Sequence, residues 1–163
     1  MEAGRDGRVP AWLRQYHRFW RPLLSRAEKA RIVAAIAEEE RLTTGEIHVH
    51  IAALGGGRDM LAFARRKFLR LGLDRTAQRN AVLILVSHWS HRYAIWGDEG
   101  LHAKAGQALW ERAKETLAAH FAAQRYAEGI EACVRAVGAE LARHFPRAQR
   151  VDRNQVSDDV TED

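Results

Sequence analysis

The chain has 163 residues, 47% hydrophobic and 29% charged, with a formal net charge of +5. That length suits one domain with its own core, and the composition is that of an ordinary globular protein. A single cysteine, Cys133, excludes an intramolecular disulfide framework and fits a reducing compartment. No run approaches the roughly 18 to 20 apolar residues that span a bilayer, and the opening MEAGRDGRVP lacks the apolar core of a signal peptide. The expectation is a cytoplasmic protein with no membrane span. Lys and Arg are interspersed with Asp and Glu, without a basic run, an RNP-type pattern or zinc-finger spacing. The charge therefore reads as an arginine-rich solvated surface, with no nucleic-acid partner expected.

Residues 1–24 read as an N-terminal segment with a short amphipathic helix. Trp12, Tyr16, Phe19, Trp20, Leu23 and Leu24 recur at helical spacing, opposite Arg14, His17, Arg18 and Arg21. Such a stripe packs more often on a core or a second subunit than on a membrane surface. It is the candidate surface for a protein partner or for self-association. Ser25-Arg26-Ala27-Glu28 is a capping box opening a helix to about Arg41, with Ile32, Val33 and Ile36 as its expected apolar face. Glu38, Glu39 and Glu40 read as a solvated run, because successive helical residues point in different directions.

Thr43-Thr44-Gly45 ends that helix. Residues 46–52 alternate as a strand, with Ile47, Val49 and Ile51 on one face and Glu46, His48 and His50 on the other. Gly55-Gly56-Gly57 makes a turn, Asp59 is a plausible N-cap, and Met60, Ala64, Phe68 and Leu71 mark a helix ended by Gly72. Residues 81–86 form a β-branched and leucine run of the kind buried on both faces. A short turn around Trp89 returns the chain through an alternating stretch, 92–96, so the two runs read as an antiparallel hairpin. Two more helices follow, one carrying Ala105, Leu109, Ala113 and Leu117, the other Tyr126, Ile130, Val134, Val137 and Leu141 before Pro146. Cys133 falls on the apolar face of the second and reads as a core residue. Residues 147–163 read as a disordered polar tail. The order predicts an α/β domain over residues 25–146, a three-layer α/β/α sandwich. Its small mixed sheet has a parallel strand pair and an antiparallel hairpin strand.

That topology brings distant chemistry to one edge of the sheet. Thr44, Gly45 and Glu46 head strand one, Arg79 and Asn80 head strand two, and Asp98 and Glu99 follow strand three, with Asp74 and Thr76 arriving on the intervening loop. Hard oxygen donors in that mix suit Ca²⁺ or Mg²⁺ better than a soft metal, and Arg79 suits a phosphate. Structural roles compete for the same residues: Asp98 as a helix N-cap, and Arg79 paired with Glu46 or Asp98.

These motifs, in this order, resemble the TPM-domain family: Thr44-Gly45-Glu46, Leu71-Gly72-Leu73, Arg79-Asn80, Gly97-Asp98-Glu99-Gly100 and the closing His144-Phe145-Pro146. The resemblance covers about residues 25–146. It implies an α/β/α sandwich that binds Ca²⁺ or a similar ion, with some members acting as acid phosphatases or nucleotide phosphohydrolases. It also implies Glu46, Asp98 and Glu99 as metal ligands, with Arg79 and Asn80 supporting the site. Many members are secreted or membrane-anchored, and this chain shows neither signal. The first functional expectation is a metal-dependent phosphohydrolase acting on a phosphomonoester or nucleotide, with Asp98, Arg79 and Asn80 at its centre. The competing one is a non-catalytic Ca²⁺-binding module presenting a surface to a protein partner.

Weaker candidates are an E-x-H-x-H line for Zn²⁺ (Glu46, His48, His50) and the glycine run 55–57, which lacks the patterns of phosphate loops. His88 and His91 flank the hairpin turn and read as solvated.

Overall fold

A computed structural model describes residues 22–53 and 59–148. The expected N-terminal amphipathic helix, the glycine turn at 55–57 and nearly all of the polar tail lie outside these residues. Among the described residues, no helix is long and apolar enough to cross a membrane.

The capping box forms as expected. Ser25 Oγ accepts from the Glu28 amide at 3.2 Å, and the Ser25 amide donates to Glu28 Oε2 at 2.7 Å, opening α1 (Arg26–Glu40). Ile32 and Ala35 bury its inner face and Ile36 packs beside them, whereas Val33 is 64% exposed. Helical spacing explains that correction: Val33 lies about 100° around the axis from Ile32. The strand β1 (Glu46–Ala52) follows, then α2 (Met60–Arg70), with Asp59 capping the Ala62 amide at 2.8 Å. Gly72 then takes the left-handed conformation (φ 72°) and enters a 3₁₀ turn, Leu73–Arg75.

β2 (Ala81–Ser87) pairs parallel with β1 and antiparallel with β3 (Tyr93–Gly97), giving the order β1-β2-β3. Every residue of β2 is buried, because both faces of the central strand are covered. Val82, Ile84 and Val86 point into the larger core, with α1 and the C-terminal helices. Ala81, Leu83 and Leu85 point the other way, onto Met60, Ala64 and Phe68 of α2. The period-two alternation of one strand thus builds the two interfaces of a three-layer sandwich.

The helix expected across Ala105 and Leu109 is two helices, α3 (Glu99–Ala105) and α4 (Gln107–Ala122). Gly106, at φ 71° and ψ −172°, breaks them, a conformation essentially reserved for glycine. The last helix, α5 (Tyr126–His144), carries the fully buried Ile130, Cys133, Val134, Val137 and Leu141. Its exit is tied back to the start of β1: Thr43 bridges to Pro146, and the Thr44 amide donates to Phe145 O at 3.0 Å. Of the two hairpin histidines, His91 is exposed, as expected of a solvated residue, and His88 is half-buried; each also has a partner. His88 Nδ1 accepts from the Leu23 amide at 3.1 Å, and His91 Nδ1 lies 2.9 Å from Tyr126 Oη.

Candidate functional site

Three chain crossings meet at the edge where β1 and β2 begin and β3 ends. Arg79, the last residue before Asn80 and β2, has φ 51°, a left-handed conformation that costs a non-glycine residue about 1 kcal/mol. Its backbone is held on both sides: the Arg79 amide donates to Thr76 O at 3.1 Å, and Arg79 O accepts from the Leu101 amide at 3.2 Å.

The Arg79 guanidinium meets Asp98 in a fork. Nε donates to Oδ2 at 2.8 Å and Nη2 to Oδ1 at 2.9 Å. Asp98 is 3% exposed and the Arg79 side chain 45% exposed, so the pair joins a buried anion to a cation at the surface. Asp98 Oδ1 also accepts from the Glu99 amide at 2.9 Å, the N-cap of α3. The hydrogen bonds it donates to Asp98, and then the nearby charges of Asp98, Glu99 and Asp74, hold the guanidinium above its ordinary pKa. Glu99 lies 3.9 Å from Arg79 Nη2 and is almost wholly in water.

Asn80 is buried and turned inward. Its side-chain amide donates to Thr44 Oγ1 at 3.1 Å, its backbone amide donates to Thr76 Oγ1 at 3.1 Å, and Thr44 Oγ1 donates in turn to Gln78 Oε1. Asn80 therefore ties the heads of β1 and β2 together, holding the edge without facing solvent.

Glu46 stands apart from Asp98. It registers with Ala81, and the other side of Ala81 accepts from the Asp98 amide at 2.9 Å. The two acidic residues are thus two strand spacings apart, about 10 Å between backbones. Among the described residues, no group of three His, Cys, Asp or Glu side chains is placed to hold a metal ion. Both oxygens of Asp98 are engaged by Arg79, and Glu46 and Glu99 lie in water, the first on β1 and the second at the start of α3. As arranged, these residues do not fit a single Ca²⁺ or Mg²⁺ site. The line Glu46, His48 and His50 faces α2, where burial first, and then the charges of Lys67 and His48, push the His50 pKa down.

Several supporting residues are visible only in three dimensions. Buried Thr43 donates from Oγ1 to Phe145 O at 2.6 Å and accepts from the Gly45 amide at 3.1 Å, locking the end of α5 to the head of β1. Glu40 Oε1 accepts from the Ile47 amide at 2.8 Å. Gly100 allows the close approach of α3: a Cβ there would stand 2.1 Å from Gln78 O and 2.7 Å from Arg79 O. The GDEG string is the sequence signal for that last contact, whereas Thr43 and Glu40 carry none.

Residues 21–140 match the family model described as the TPM domain. The fold is similar to that of the BA42 protein from the psychrophilic bacterium Bizionia argentinensis, solved by NMR. The two share 29% identity over 76% of this chain and 84% of that one, with a TM-score of 0.70. It is also similar to the N-terminal domain of a P. gingivalis protein, at 21% identity, 78% and 83% coverage and a TM-score of 0.63. The N-terminal domain of the cg2496 protein from Corynebacterium glutamicum gives 17% identity, 72% and 74% coverage and a TM-score of 0.59. These last two likenesses show the fold alone. No curated protein matches the chain.

Proposed function

The chain belongs to the TPM domain family, and on that premise we propose that the sheet edge around Arg79 binds a phosphate-bearing small molecule and that the domain is a phosphohydrolase of phosphomonoesters or nucleotides. The observation that carries this reading is the fork between Arg79 and Asp98. A guanidinium has five N–H donors in a rigid plane. Asp98 takes two of them from one side, which fixes that plane, and the half-exposed side chain keeps its remaining donors for a ligand. Arg79 neutralises charge on the phosphoryl group, where a fixed donor acts most strongly. Asp98 and Asn80 are positioning residues, the first through Arg79 and the second through Thr44. Ca²⁺ or Mg²⁺ enters as a condition of the experiment, because Glu46, Asp98 and Glu99 do not converge on one ion as arranged.

A second reading, a non-catalytic Ca²⁺-binding module that serves a protein partner, has its own observation. At this edge the threonine hydroxyls bond to amides and a backbone carbonyl, and among the described residues no base bonds to them to activate a nucleophile.

The test is phosphate release from ATP and from para-nitrophenyl phosphate, with Mg²⁺, Ca²⁺ or chelator, for the wild type, Arg79→Gln, Asp98→Asn and Glu46→Gln. Turnover that falls about 100-fold in Arg79→Gln, the scale of losing one oxyanion donor, with the fold intact, supports the hydrolase. Turnover indifferent to Arg79→Gln overturns the assignment of the site. With no turnover at all, a rise in the wild-type unfolding temperature with Ca²⁺, lost in Glu46→Gln, establishes the binding module.

A further inference from the structure

Among the described residues, α2 is the only α-helix on its face of the sheet, and its charges are arranged unlike those of the other helices. On the opposite face the arginines are neutralised across helix contacts. Arg31 of α1 pairs with Glu131 of α5 at 2.6 Å, Arg112 of α4 with Glu140 of α5 at 3.1 Å, and Arg135 of α5 with Glu38 of α1 at 3.1 Å. α2 has no helix beside it to supply such partners. It carries Arg65, Arg66, Lys67 and Arg70 and no acidic residue. The acids that flank it in sequence are committed, Asp59 to the cap at the Ala62 amide and Asp74 to the field around Arg79. Lys67 lies toward His50. The side chains of Arg65, Arg66 and Arg70 make no hydrogen bond and no ion pair among the described residues. Arg66 and Arg70, four apart, are a like-charged pair of the kind that weakens a helix.

The same surface is apolar between its charges. Six large hydrophobic side chains are exposed among the described residues, and three of them, Leu61, Leu69 and Leu71, belong to α2 and its C-cap. Met60, Ala64 and Phe68 turn into the core, which fixes the rotation of the helix. At 100° per residue, Arg66 and Leu69 are then outermost, with Arg65 and Arg70 on either side of them and Leu61 further round beside Arg65. Basic and apolar side chains thus share one outward face, over a length of about 16 Å.

We propose that the outer face of α2 docks the domain on a membrane surface of anionic phospholipid, with Arg65, Arg66 and Arg70 at the headgroups and Leu61 and Leu69 entering the boundary of the acyl chains. Charge complementarity names the ligand as an anion, since three guanidinium groups on one face have no carboxylate to meet. The leucines choose among anions. A nucleic-acid backbone presents phosphate and sugar to such a face and offers an exposed leucine little. A bilayer interface buries the leucine and lets the arginine stem beside it lie along the apolar layer while its head stays at the phosphates. A lone helix on a sheet face is also convex, a shape that lies along a plane. The pairing of Arg31, Arg112 and Arg135 with glutamates makes the opposite face a poorer contact, so the domain docks in one orientation. The proposal is independent of the phosphate chemistry at Arg79.

The test is co-sedimentation of the full chain with vesicles of phosphatidylcholine alone or of phosphatidylcholine with phosphatidylserine. The wild type should sediment with the second and not the first, and less as salt is raised. The triple variant Arg65→Gln, Arg66→Gln, Arg70→Gln should lose about 100-fold in affinity, at about five-fold for each cation near an anionic surface. The double variant Leu61→Ser, Leu69→Ser keeps every charge and should still lose about 10-fold. A further measurement leaves the protein unaltered: spin-labelled lipid in phosphatidylserine nanodiscs should broaden the methyl resonances of Leu61 and Leu69 and spare those of Val33, which is exposed on α1. Equal sedimentation with both vesicles, undiminished binding by the triple variant, or equal broadening at Val33 overturns the proposal. A DNA duplex bound through the same three arginines, with no vesicle binding, also overturns it, in favour of a nucleic-acid surface.

Discussion

Arg79 and Asp98, 19 residues apart in the chain, share two hydrogen bonds of 2.8 and 2.9 Å in which the anion is buried and the cation half open to water. The asymmetry makes the carboxylate the dependent partner, since it has given up water and the guanidinium has not. Arg79→Met, which leaves that carboxylate facing no cation, is expected to lower the urea midpoint. Asp98→Ala removes the α3 cap as well, a loss of about 1 kcal/mol on that account alone. Wild-type midpoints in both variants would show that the pair carries no stability.

Gly100 and Gly106 should fail differently. Alanine at Gly100 drives a Cβ into the carbonyls of Gln78 and Arg79, so the backbone must shift, at about 1–3 kcal/mol. Alanine at Gly106 meets nothing within 4 Å but must adopt a glycine conformation, also at about 1–3 kcal/mol. Only Gly100→Ala is expected to move the amide resonances of Gln78 and Arg79. Equal spectral change in both would disconnect Gly100 from the Arg79 turn.

Thr43 is the buried latch between α5 and β1. Thr43→Val keeps the volume but leaves the Gly45 amide without its 3.1 Å acceptor, a cost of about 1–3 kcal/mol for a buried unpaired donor. Faster amide exchange at Thr44 and Gly45, with the centre of β2 unchanged, is the expected signature.

The capping box carries a defined acid dependence. The Ser25 backbone amide, and then its hydroxyl, hold the Glu28 carboxyl below its ordinary value of 4.5. A carboxyl depressed on folding contributes stability in full above its unfolded value. That contribution fades as pH falls through the lower, folded value. An NMR titration should place Glu28 below 4.5 in the wild type and bring it part of the way back in Ser25→Ala, which removes the hydroxyl and keeps the backbone amide. A wild-type Glu28 at its ordinary value would mean that the box does not persist in solution.

Cys133 has no exposed surface, and burial pushes its thiol up to about 12. With neither access nor thiolate, it should resist alkylation at pH 8 in the native state and react only as fast as the domain opens. Labelling of native protein at the rate of a free thiol would place Cys133 outside the core.

Much of this architecture is legible along the chain. Residues 46–52 alternate and form β1, residues 81–86 are continuously apolar and sit within the doubly buried β2, and Ser25 and Glu28 make their cap. Each signal is local, because a period of two or of 3.6 is a property of neighbours. The convergence of Thr44, Arg79, Asn80 and Asp98 on one edge was also readable, since a parallel pair followed by a hairpin admits one arrangement of strand ends. The break at Gly106 was not, because the apolar spacing from Leu101 to Leu109 runs through it and only the conformation of that glycine shows the stop.

The sequence by itself thus determines the strands, most helices, the topology and the membership of the edge. The tertiary structure decides what those residues do to one another. It gives both Asp98 oxygens to Arg79 in place of Glu46, turns Asn80 into the interior, and separates Glu46 from Asp98 by the width of β2. Among the described residues, it also leaves the outer side of β3 without a strand partner. The physical reason is range. Periodicity is written residue by residue, whereas the partner a charge finds and the edge a sheet leaves open depend on how segments distant in sequence pack.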